Sequence, residues 1–328
     1  MSQKKQLLVG LVVALVVVAG LGTYAFLGVF KPDQAEAERK EAEAKLFSLE
    51  VEELTRLEVF AKDETTVLER QDGAWRITSP VLAAADEDAV RSLLDRLSRA
   101  NRRKLLEEDG DPSLFGLDEP TLRISAQAAS GEQAEVALGG QNSFDSSWFA
   151  TIRPNQIITV DGWLKGSLEK STFDLREKRL LDLGIDSVQQ LHVTGLATYA
   201  ISRSDDGWRR DDPDEVVEPA AVDEILLALR DLKATAFPAG AAETFGLDRP
   251  LLTVTLSREG QEPLTLRIAR VGDQHHAQAE GGPVAEIPAS IVDTLSEPPP
   301  RYEPPEEPEA EANQMVEEAA GAQEAGAD

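Results

Sequence analysis

The sequence predicts an α+β fold made of two tandem repeats, each a mostly antiparallel sheet with one packed amphipathic helix, preceded by one transmembrane helix. Three observations predict this architecture: a long uncharged segment near the amino terminus, an ordered set of motifs that occurs twice, and short alternating strands joined by Asp-Gly or Gly-Gly turns. A chain of 328 residues is also long enough for two domains once its ends are set aside.

The amino-terminal segment predicts a membrane anchor. Residues 6–30 carry no charge, and these 25 residues, at about 1.5 Å each in a helix, exceed the roughly 30 Å hydrocarbon core of a bilayer. A signal peptide cleaved near Ala25 is the alternative, although the apolar core of such peptides is shorter. Residues 1–5 contain Lys4 and Lys5 but no acid, so the amino terminus should stay in the cytoplasm. We therefore expect a single-pass protein of the cytoplasmic membrane whose bulk is extracytoplasmic.

Two charged segments flank the predicted globular part. Residues 31–45 are rich in Ala, Glu and Lys, a composition that favours a charged helical spacer. Residues 297–328 contain ten acidic residues, one basic residue and six of the 18 prolines, which predicts a disordered acidic Pro/Glu tail. Because proline favours extended polyproline II structure, the tail could instead serve as a stiff spacer or a docking peptide.

The two repeats are predicted at residues 46–170 and 185–296, with a connector at 171–184. Each repeat begins with strands that lead through a turn containing glycine to a tryptophan, which is Trp75 in the first and Trp208 in the second. We interpret both tryptophans as packing residues that cover one end of a sheet.

A helix follows the tryptophan in each repeat. Its apolar residues recur at i, i+3, i+4 and i+7, which is the stripe of a helix lying on a sheet. In the two repeats these residues are Val90, Leu93, Leu94 and Leu97, and Val222, Ile225, Leu226 and Leu229.

An FGLD-x-P turn comes next, in which Phe115 and Gly116 correspond to Phe245 and Gly246. About four short strands and a terminal helical turn complete each repeat. The motifs keep their order while the offset between the repeats drifts only from 134 to 130 residues. We therefore interpret them as copies of one unit.

These motifs carry a resemblance. The tryptophan-centred turns, the helix at 90–97, the FGLD-x-P signature and the Leu-Arg-Glu-Lys-Arg-Leu-Leu stretch at 175–181 together resemble the uncharacterised-domain family numbered 4340. The resemblance covers about residues 46–295. It implies a bacterial membrane-anchored protein, often encoded beside ABC transporter components of the gliding-motility type, and it supplies no catalytic residues. The second repeat departs from the first, since His275-His276-Ala277 stands in the place of Trp148-Phe149-Ala150.

Composition excludes several classes of function. The 33 Lys+Arg against 60 Asp+Glu give a net charge of -27, which argues against a nucleic-acid binder because such proteins need a positive field. Without cysteine the chain has no disulfide, thiolate zinc site, iron–sulfur cluster or cysteine nucleophile. Ser167 and Lys170 match an S-x-x-K spacing but lack the partner motifs of the serine enzymes that use it. We predict a protein that is not an enzyme and has neither cofactor nor metal.

The best candidate for a contact surface is the stretch 139–149, where small polar residues alternate with Phe144, Trp148 and Phe149. Burial of Phe149 in the core is the competing interpretation. In the second repeat His275 and His276 are further candidates for a contact. Neighbours on a strand point to opposite faces, however, so the two would bind one metal poorly.

These observations favour an extracytoplasmic interaction or scaffold protein, with the transporter or gliding-motility complex as its partner by resemblance. One membrane helix would raise the concentration of the two repeats near that partner, so weak contacts would suffice. The alternative is an envelope protein that binds glycan or peptide in the cleft between the repeats.

Overall fold

The structure is a computed structural model and describes residues 44–304. The chain divides after Glu177 into two compact units, so that the described residues of unit 1 are 44–177 and those of unit 2 are 178–304. The predicted span at 6–30, its cytoplasmic flank, nearly all of the spacer and the tail from residue 305 onward lie outside the described residues. No helix within 44–304 is long and apolar enough to cross a membrane.

Unit 1 is built on one antiparallel sheet. Its strands, within the described residues, are β1 Leu54–Ala61, β2 Glu64–Gln71, β3 Ala74–Ser79, β4 Ala83–Ala84, β5 Lys104–Glu107, β6 Leu122–Ala128, β7 Gln133–Gln141, β8 Trp148–Thr151 and β9 Ile157–Val160. They pair in the order β4-β3-β2-β1-β6-β7-β8-β9-β5. The helices are α1 Glu87–Ser98, α2 Gly162–Leu168 and α3 Thr172–Leu175, with short 3-10 helices at Val51–Glu53 and Pro112–Phe115.

Unit 2 is built on a second antiparallel sheet. Its described strands are β10 Val188–Gly195, β11 Tyr199–Ser204, β12 Gly207–Arg210, β13 Glu215–Val216, β14 Leu252–Arg258, β15 Gln261–Val271, β16 Gln274–Ala279 and β17 Ala285–Ile287. They pair in the order β13-β12-β11-β10-β14-β15-β16-β17. The helices are α4 Pro219–Arg230 and α5 Ser290–Ser296, with 3-10 helices at Ile185–Ser187 and Ala242–Phe245.

The two sheets follow the same plan. Without β5, the strand order of unit 1 is the strand order of unit 2. The pairing of β1 with β6 contains a bulge between Leu54 and Arg56, and the pairing of β10 with β14 contains one between Val188 and Gln190. The predicted α+β class with largely antiparallel sheets is confirmed. Strand β5 is an addition that the sequence analysis did not foresee.

The long helix of each unit packs its predicted apolar stripe against its own sheet. All eight stripe residues are buried. Helix α1 begins after Asp86, whose side chain accepts a hydrogen bond of 3.0 Å from the backbone nitrogen of Ala89. Helix α4 begins with Pro219, which suits a first turn because no donor is needed there. Burial of one large aliphatic side chain contributes about 1.5–3 kcal/mol, so each stripe residue stabilises the unit in which it is buried.

The predicted connector at 171–184 is divided between the two units. The backbone nitrogen of Glu177 donates to the carbonyl of Ala84 at 3.0 Å, which covers the edge of the unit 1 sheet beside β4. The next residue, Lys178, accepts a hydrogen bond of 2.8 Å from the backbone nitrogen of Ala234 and belongs to unit 2. The backbone N–H and C=O groups at the edge of a sheet favour pairing with a neighbouring extended segment, because they gain hydrogen-bond partners there.

The prediction places the start of the disordered tail at residue 297, but residues 299–302 are paired with the unit 2 sheet. In the structure the backbone nitrogen of Glu218 donates to the carbonyl of Pro300 at 2.8 Å, and that of Tyr302 donates to Val216 at 2.9 Å. A side-chain hydrogen bond from Arg210 to the carbonyl of Pro299 joins them. Residues 299–302 therefore extend the unit 2 sheet beyond β13, although their composition is that of a tail.

Candidate functional site

A loop between β7 and β8 forms the centre of the candidate site. Within residues 142–147, the side-chain oxygen of Asn142 accepts a hydrogen bond of 3.1 Å from the backbone nitrogen of Phe144. One carboxylate oxygen of Asp145 accepts from the backbone nitrogen of Ser147 at 3.1 Å and from its hydroxyl at 2.7 Å. Ser147 is fully buried. Short polar side chains thus fix the shape of the loop, as Asn and Asp commonly do in turns.

Charged groups tie the loop to neighbouring segments of unit 1. Arg103, which directly precedes β5, lies 3.3 Å from a carboxylate oxygen of Asp145 and 3.4 Å from one of Asp161. Hydrogen bonds from Ser147, with a smaller contribution from the Arg103 guanidinium, lower the pKa of Asp145. The Asp145 carboxylate is therefore ionised at neutral pH and available to both partners.

Two aromatic side chains project from this end of unit 1. Phe144 is 97% exposed, and Trp163 in the first turn of α2 is 59% exposed. Their segments adjoin, since a Cβ placed on Gly162 would lie only 2.6 Å from the carbonyl oxygen of Ser146. We call Phe144 and Trp163 the aromatic rim.

Trp148 and Phe149, the other two aromatic candidates, are packing residues for most of their surface. The indole nitrogen of Trp148 donates to the carbonyl of Gly162 at 3.2 Å, and the ammonium of Lys165 lies 5.1 Å from its ring centroid. Phe149 meets Phe115 edge to face with ring centroids 5.0 Å apart. Of the three predicted aromatic contacts, only Phe144 presents its whole side chain to solvent.

The two histidine candidates lie on β16 and are separated by its pleat. His275 is half-buried, whereas His276 is 3% exposed and has almost no surface with which to contact a ligand. The His276 ring packs against Phe245 at a centroid distance of 4.8 Å, and its Nδ1 has no hydrogen-bond partner among the described residues. No three His, Asp or Glu side chains within 44–304 are grouped so as to hold a metal.

The repeat signature occupies matching positions in the two units. Trp75 and Trp208 are both buried, and each lies under an arginine of the preceding strand. The guanidinium of Arg70 is 5.8 Å from the Trp75 ring centroid, and that of Arg203 is 4.7 Å from the Trp208 ring centroid.

The FGLD-x-P turns match as well. Phe115 and Phe245 each end a 3-10 helix, and the glycine that follows caps it with a positive φ, 68° at Gly116 and 72° at Gly246. Glycine adopts this left-handed conformation without the steric cost that a Cβ would bring. The turn at Gly116 also packs closely on the end of β7, since a Cβ there would lie 3.2 Å from the backbone nitrogen of Gly140.

Most of the residues that form the two matched units also match a known protein family. Residues 75–250 match the family described as Domain of unknown function (DUF4340). The chain belongs to this family. The DUF4340 match begins at Trp75 in β3 and ends at Pro250 after the second FGLD-x-P turn, so it includes the aromatic rim. No curated protein and no solved structure matches the chain.

The DUF4340 match also contains an exposed apolar turn that the sequence analysis did not single out. Leu82, directly before β4, is 85% exposed, and its neighbour Val81 is 39% exposed. In unit 2 the residue directly before the corresponding strand β13 is Asp214, which forms an ion pair of 2.9 Å with Arg209. The sequence signal for this turn is Pro80-Val81-Leu82 between two short strands. At the corresponding place the second repeat has Asp211, Asp212 and Asp214.

The loop that carries Phe144 likewise has no equivalent in unit 2. Six residues, 142–147, join β7 to β8, whereas Gly272 and Asp273 alone join β15 to β16. At two matching places, therefore, unit 1 presents an exposed apolar side chain and unit 2 presents an aspartate.

Unit 1 has in addition a polar groove with a volume of about 610 Å³. Arg56 and Glu135 line this groove and already have partners. Arg56 pairs with Glu69 at 2.6 Å, and Glu135 accepts a hydrogen bond of 2.8 Å from the hydroxyl of Ser125. Lys45 and Arg153 also line the groove, and neither forms an ion pair with a described residue. The groove therefore offers two cations to a ligand.

Proposed function

We propose that this chain is a single-pass, membrane-anchored extracytoplasmic scaffold protein that catalyses no reaction and joins a membrane complex of the ABC-transporter or gliding-motility type. We also propose that its two units derive from one duplicated ancestor, which their common strand order and matching bulges support. The uncharged segment at 6–30 supports the anchor, and the resemblance of the motifs to the family supports the kind of complex.

The contrast between the two units carries the interaction role. Asp214 shows that this fold accepts an aspartate at the position before the edge strand, so the apolar character of Leu82 is no requirement of the fold. Leu82 is 85% exposed and its neighbour Val81 is 39% exposed, so a partner surface that covered this turn would bury two apolar side chains together. Leu82 is therefore our candidate for the contact with a partner protein.

The tether explains how so small a contact could be sufficient. A protein confined to the membrane surface meets a partner in the same membrane at a high effective concentration. The affinity of the contact itself can then remain low, and a single apolar turn can direct the association.

The experiment compares three full-length chains expressed in the native host, solubilised in mild detergent and recovered by an affinity tag. The wild type should recover a transporter permease in stoichiometric amount. Leu82→Asp, which gives unit 1 the residue of unit 2, should lose it. Leu196→Asp, at an exposed leucine of a turn in unit 2, should retain it. Equal recovery with wild type and Leu82→Asp would refute the contact, and recovery of no membrane protein by any chain would refute the complex.

The polar groove of unit 1 favours a second candidate function, an envelope protein that binds glycan or peptide. Lys45 and Arg153, which form no ion pair with a residue in 44–304, suit the carboxylates of an acidic peptide. We would then expect such a peptide to raise the melting temperature of the wild type but not that of Arg153→Ala. The site would lie within unit 1 and not in the predicted cleft between the repeats.

A further inference from the structure

Residues 101–104 are Asn-Arg-Arg-Lys, and we call them the basic run. We infer that the aromatic rim and the basic run form a surface that docks unit 1 on the anionic lipid bilayer in which the chain is anchored. The inference rests on the proposed membrane anchor and extends it, since it assigns a lipid surface to one end of one sheet.

The first observation is where the chain enters unit 1. The backbone nitrogen of Arg102 donates to the carbonyl of Ala44 at 2.8 Å, and Lys45 pairs with Asn101. Thirteen residues, 31–43, separate the predicted span from Ala44. They reach about 20 Å as a helix and at most about 45 Å when extended. The basic run is therefore kept within that distance of the membrane.

The second observation is that the basic run and the aromatic rim share one end of the sheet. β5 begins at Lys104, which pairs with Thr159 near the end of β9. The last residue of β9, Val160, pairs with Trp148, which is the first residue of β8 after the loop that contains Phe144. Trp163 lies three residues after the end of β9. One surface thus combines exposed aromatic rings with cations.

The third observation concerns charge. Arg102 and Lys104 form no ion pair with any residue in 44–304, while Arg103 compensates the two carboxylates next to the rim. The acids Glu107 and Glu108 lie at the other end of β5, about 10 Å from Lys104 at the usual rise of a strand. Three cations at 102–104 against the carboxylates of Asp145 and Asp161 leave this end with a net positive charge, which favours an anionic surface.

Other acids near this end also have cations beside them. Asp118 and Glu119 of the first FGLD-x-P turn line a cavity of about 660 Å³ together with the cations Lys62, Arg123 and Lys165 and the further acids Asp63 and Glu169. Four acids against three cations leave this cavity with one net negative charge, so the cationic character of this end comes from Arg102 and Lys104.

These features favour a bilayer over a protein as the occupant. Phenylalanine and tryptophan beside lysine and arginine are the side chains that settle at the boundary between headgroups and acyl chains. Neither ring of the rim requires a shaped pocket to receive it. The tether supplies the second of the two membrane signals that stable surface binding needs.

The absence of cysteine from the chain makes the test direct. A fluorophore that responds to polarity is attached at Ser143→Cys, beside Phe144, in the full-length chain inserted into phosphatidylcholine vesicles with or without phosphatidylglycerol. Spin-labelled lipids serve as quenchers. The matched control is Ser130→Cys, an exposed serine in the turn between β6 and β7 at the opposite end of the same sheet.

With phosphatidylglycerol present, we expect severalfold stronger quenching at position 143 than at position 130. Adding Phe144→Ser, or Arg102→Glu with Lys104→Glu, should reduce the quenching at 143 to the level of the control. Equal quenching at the two positions would overturn the inference and leave the rim to a protein partner. Quenching that ignores both lipid charge and the charge reversals would overturn the role of the basic run.

Flotation of the same vesicles reports on the anchor separately. A chain that floats with the vesicles while the label at 143 stays unquenched refutes the docking surface and leaves the anchor intact. A chain that fails to float refutes the anchor and, with it, the inference that depends on it.

Discussion

Replacement of His276 by the residue that unit 1 carries at the same place should stabilise unit 2. The Nδ1 of His276 is buried without a hydrogen-bond partner among the described residues, and such an unsatisfied group costs about 1–3 kcal/mol. His276→Phe removes that cost and keeps an aromatic partner for Phe245, a contact that unit 1 already makes between Phe149 and Phe115.

The larger ring of phenylalanine sets the limit on this gain. Overpacking of a filled core costs about 1–3 kcal/mol, but the small cluster of Leu247, Ala269 and Val284 under this turn lies apart from the main core of unit 2 and can adjust. We expect a net gain of about 1 kcal/mol in the free energy of unfolding of unit 2. In a unit of this size that is a rise of about 3–5 °C in melting temperature.

Peptide-resolved hydrogen exchange of the full-length chain measures the effect in each unit separately. His276→Phe should slow exchange of amides in β15 and β16 without altering unit 1. The reciprocal Phe149→His should speed exchange in β7 and β8. If His276→Phe destabilises unit 2 instead, the Nδ1 of His276 has a stabilising partner in the folded unit. The pair of Phe245 and His276 would then not be equivalent to the pair of Phe115 and Phe149.

Two further predictions test the loop and the core of unit 2. Gly162→Ala should destabilise the loop of the aromatic rim by about 1–3 kcal/mol and speed its cleavage in limited proteolysis, because the new Cβ would meet the carbonyl oxygen of Ser146 at 2.6 Å. Gly166→Ala, where nothing lies within 4 Å, is the control and should leave the cleavage rate unchanged. Tyr199→Phe should cost about 1 kcal/mol in urea unfolding, because it removes a hydrogen bond of 3.0 Å to the carbonyl of Leu295. Burial raises the pKa of Tyr199 to about 12, above its ordinary value of 10.0. The stabilising contribution of the Tyr199 hydroxyl is therefore present below pH 10 and is lost as the pH rises toward 12. Tyr199→Phe should lack this loss of stability at alkaline pH, and an equal loss in the variant and the wild type would contradict the prediction.

The parts of the fold that follow from local periodicity could be predicted from the sequence. The stripes of α1 and α4 are set by the helical repeat, and Trp75 and Trp208 are buried as their matching contexts indicate. The positive φ at Gly116 and Gly246 likewise follows from a glycine that ends a helical turn.

The parts that depend on backbone pairing could not be predicted. Residues 299–302 look like a disordered tail because their composition is Pro-rich and charged, yet the carbonyl of Pro300 and the amide of Tyr302 close a sheet edge. Proline lacks an amide hydrogen but keeps its carbonyl as an acceptor, so composition alone does not exclude this pairing. Strand β5 was missed for a related reason, since Lys104–Glu107 is a short, largely exposed edge strand that has no alternation to detect.

The candidate site shows the same division. Three aromatic residues lie within six positions, and sequence alone cannot tell which of them is covered. Trp148 and Phe149 point to opposite faces of β8, and each face is covered by a different neighbour, the segment at Gly162 for one and Phe115 for the other. Of the three, only Phe144 lies outside the strand, in a loop whose shape is fixed by hydrogen bonds to the side chains of Asn142 and Asp145.

The differences between the units are more informative about function than their similarities. A common fold requires common core residues, and Leu93 and Ile225 satisfy that requirement in both units without indicating any activity. The exposed positions are under no such constraint. Unit 1 has Leu82 where unit 2 has Asp214, and it has Phe144 in a six-residue loop where unit 2 has only Gly272 and Asp273. Both proposed contacts therefore lie in the unit that directly follows the predicted anchor. On the proposed anchoring, these two side chains belong to the unit that the shorter stretch of chain separates from the membrane.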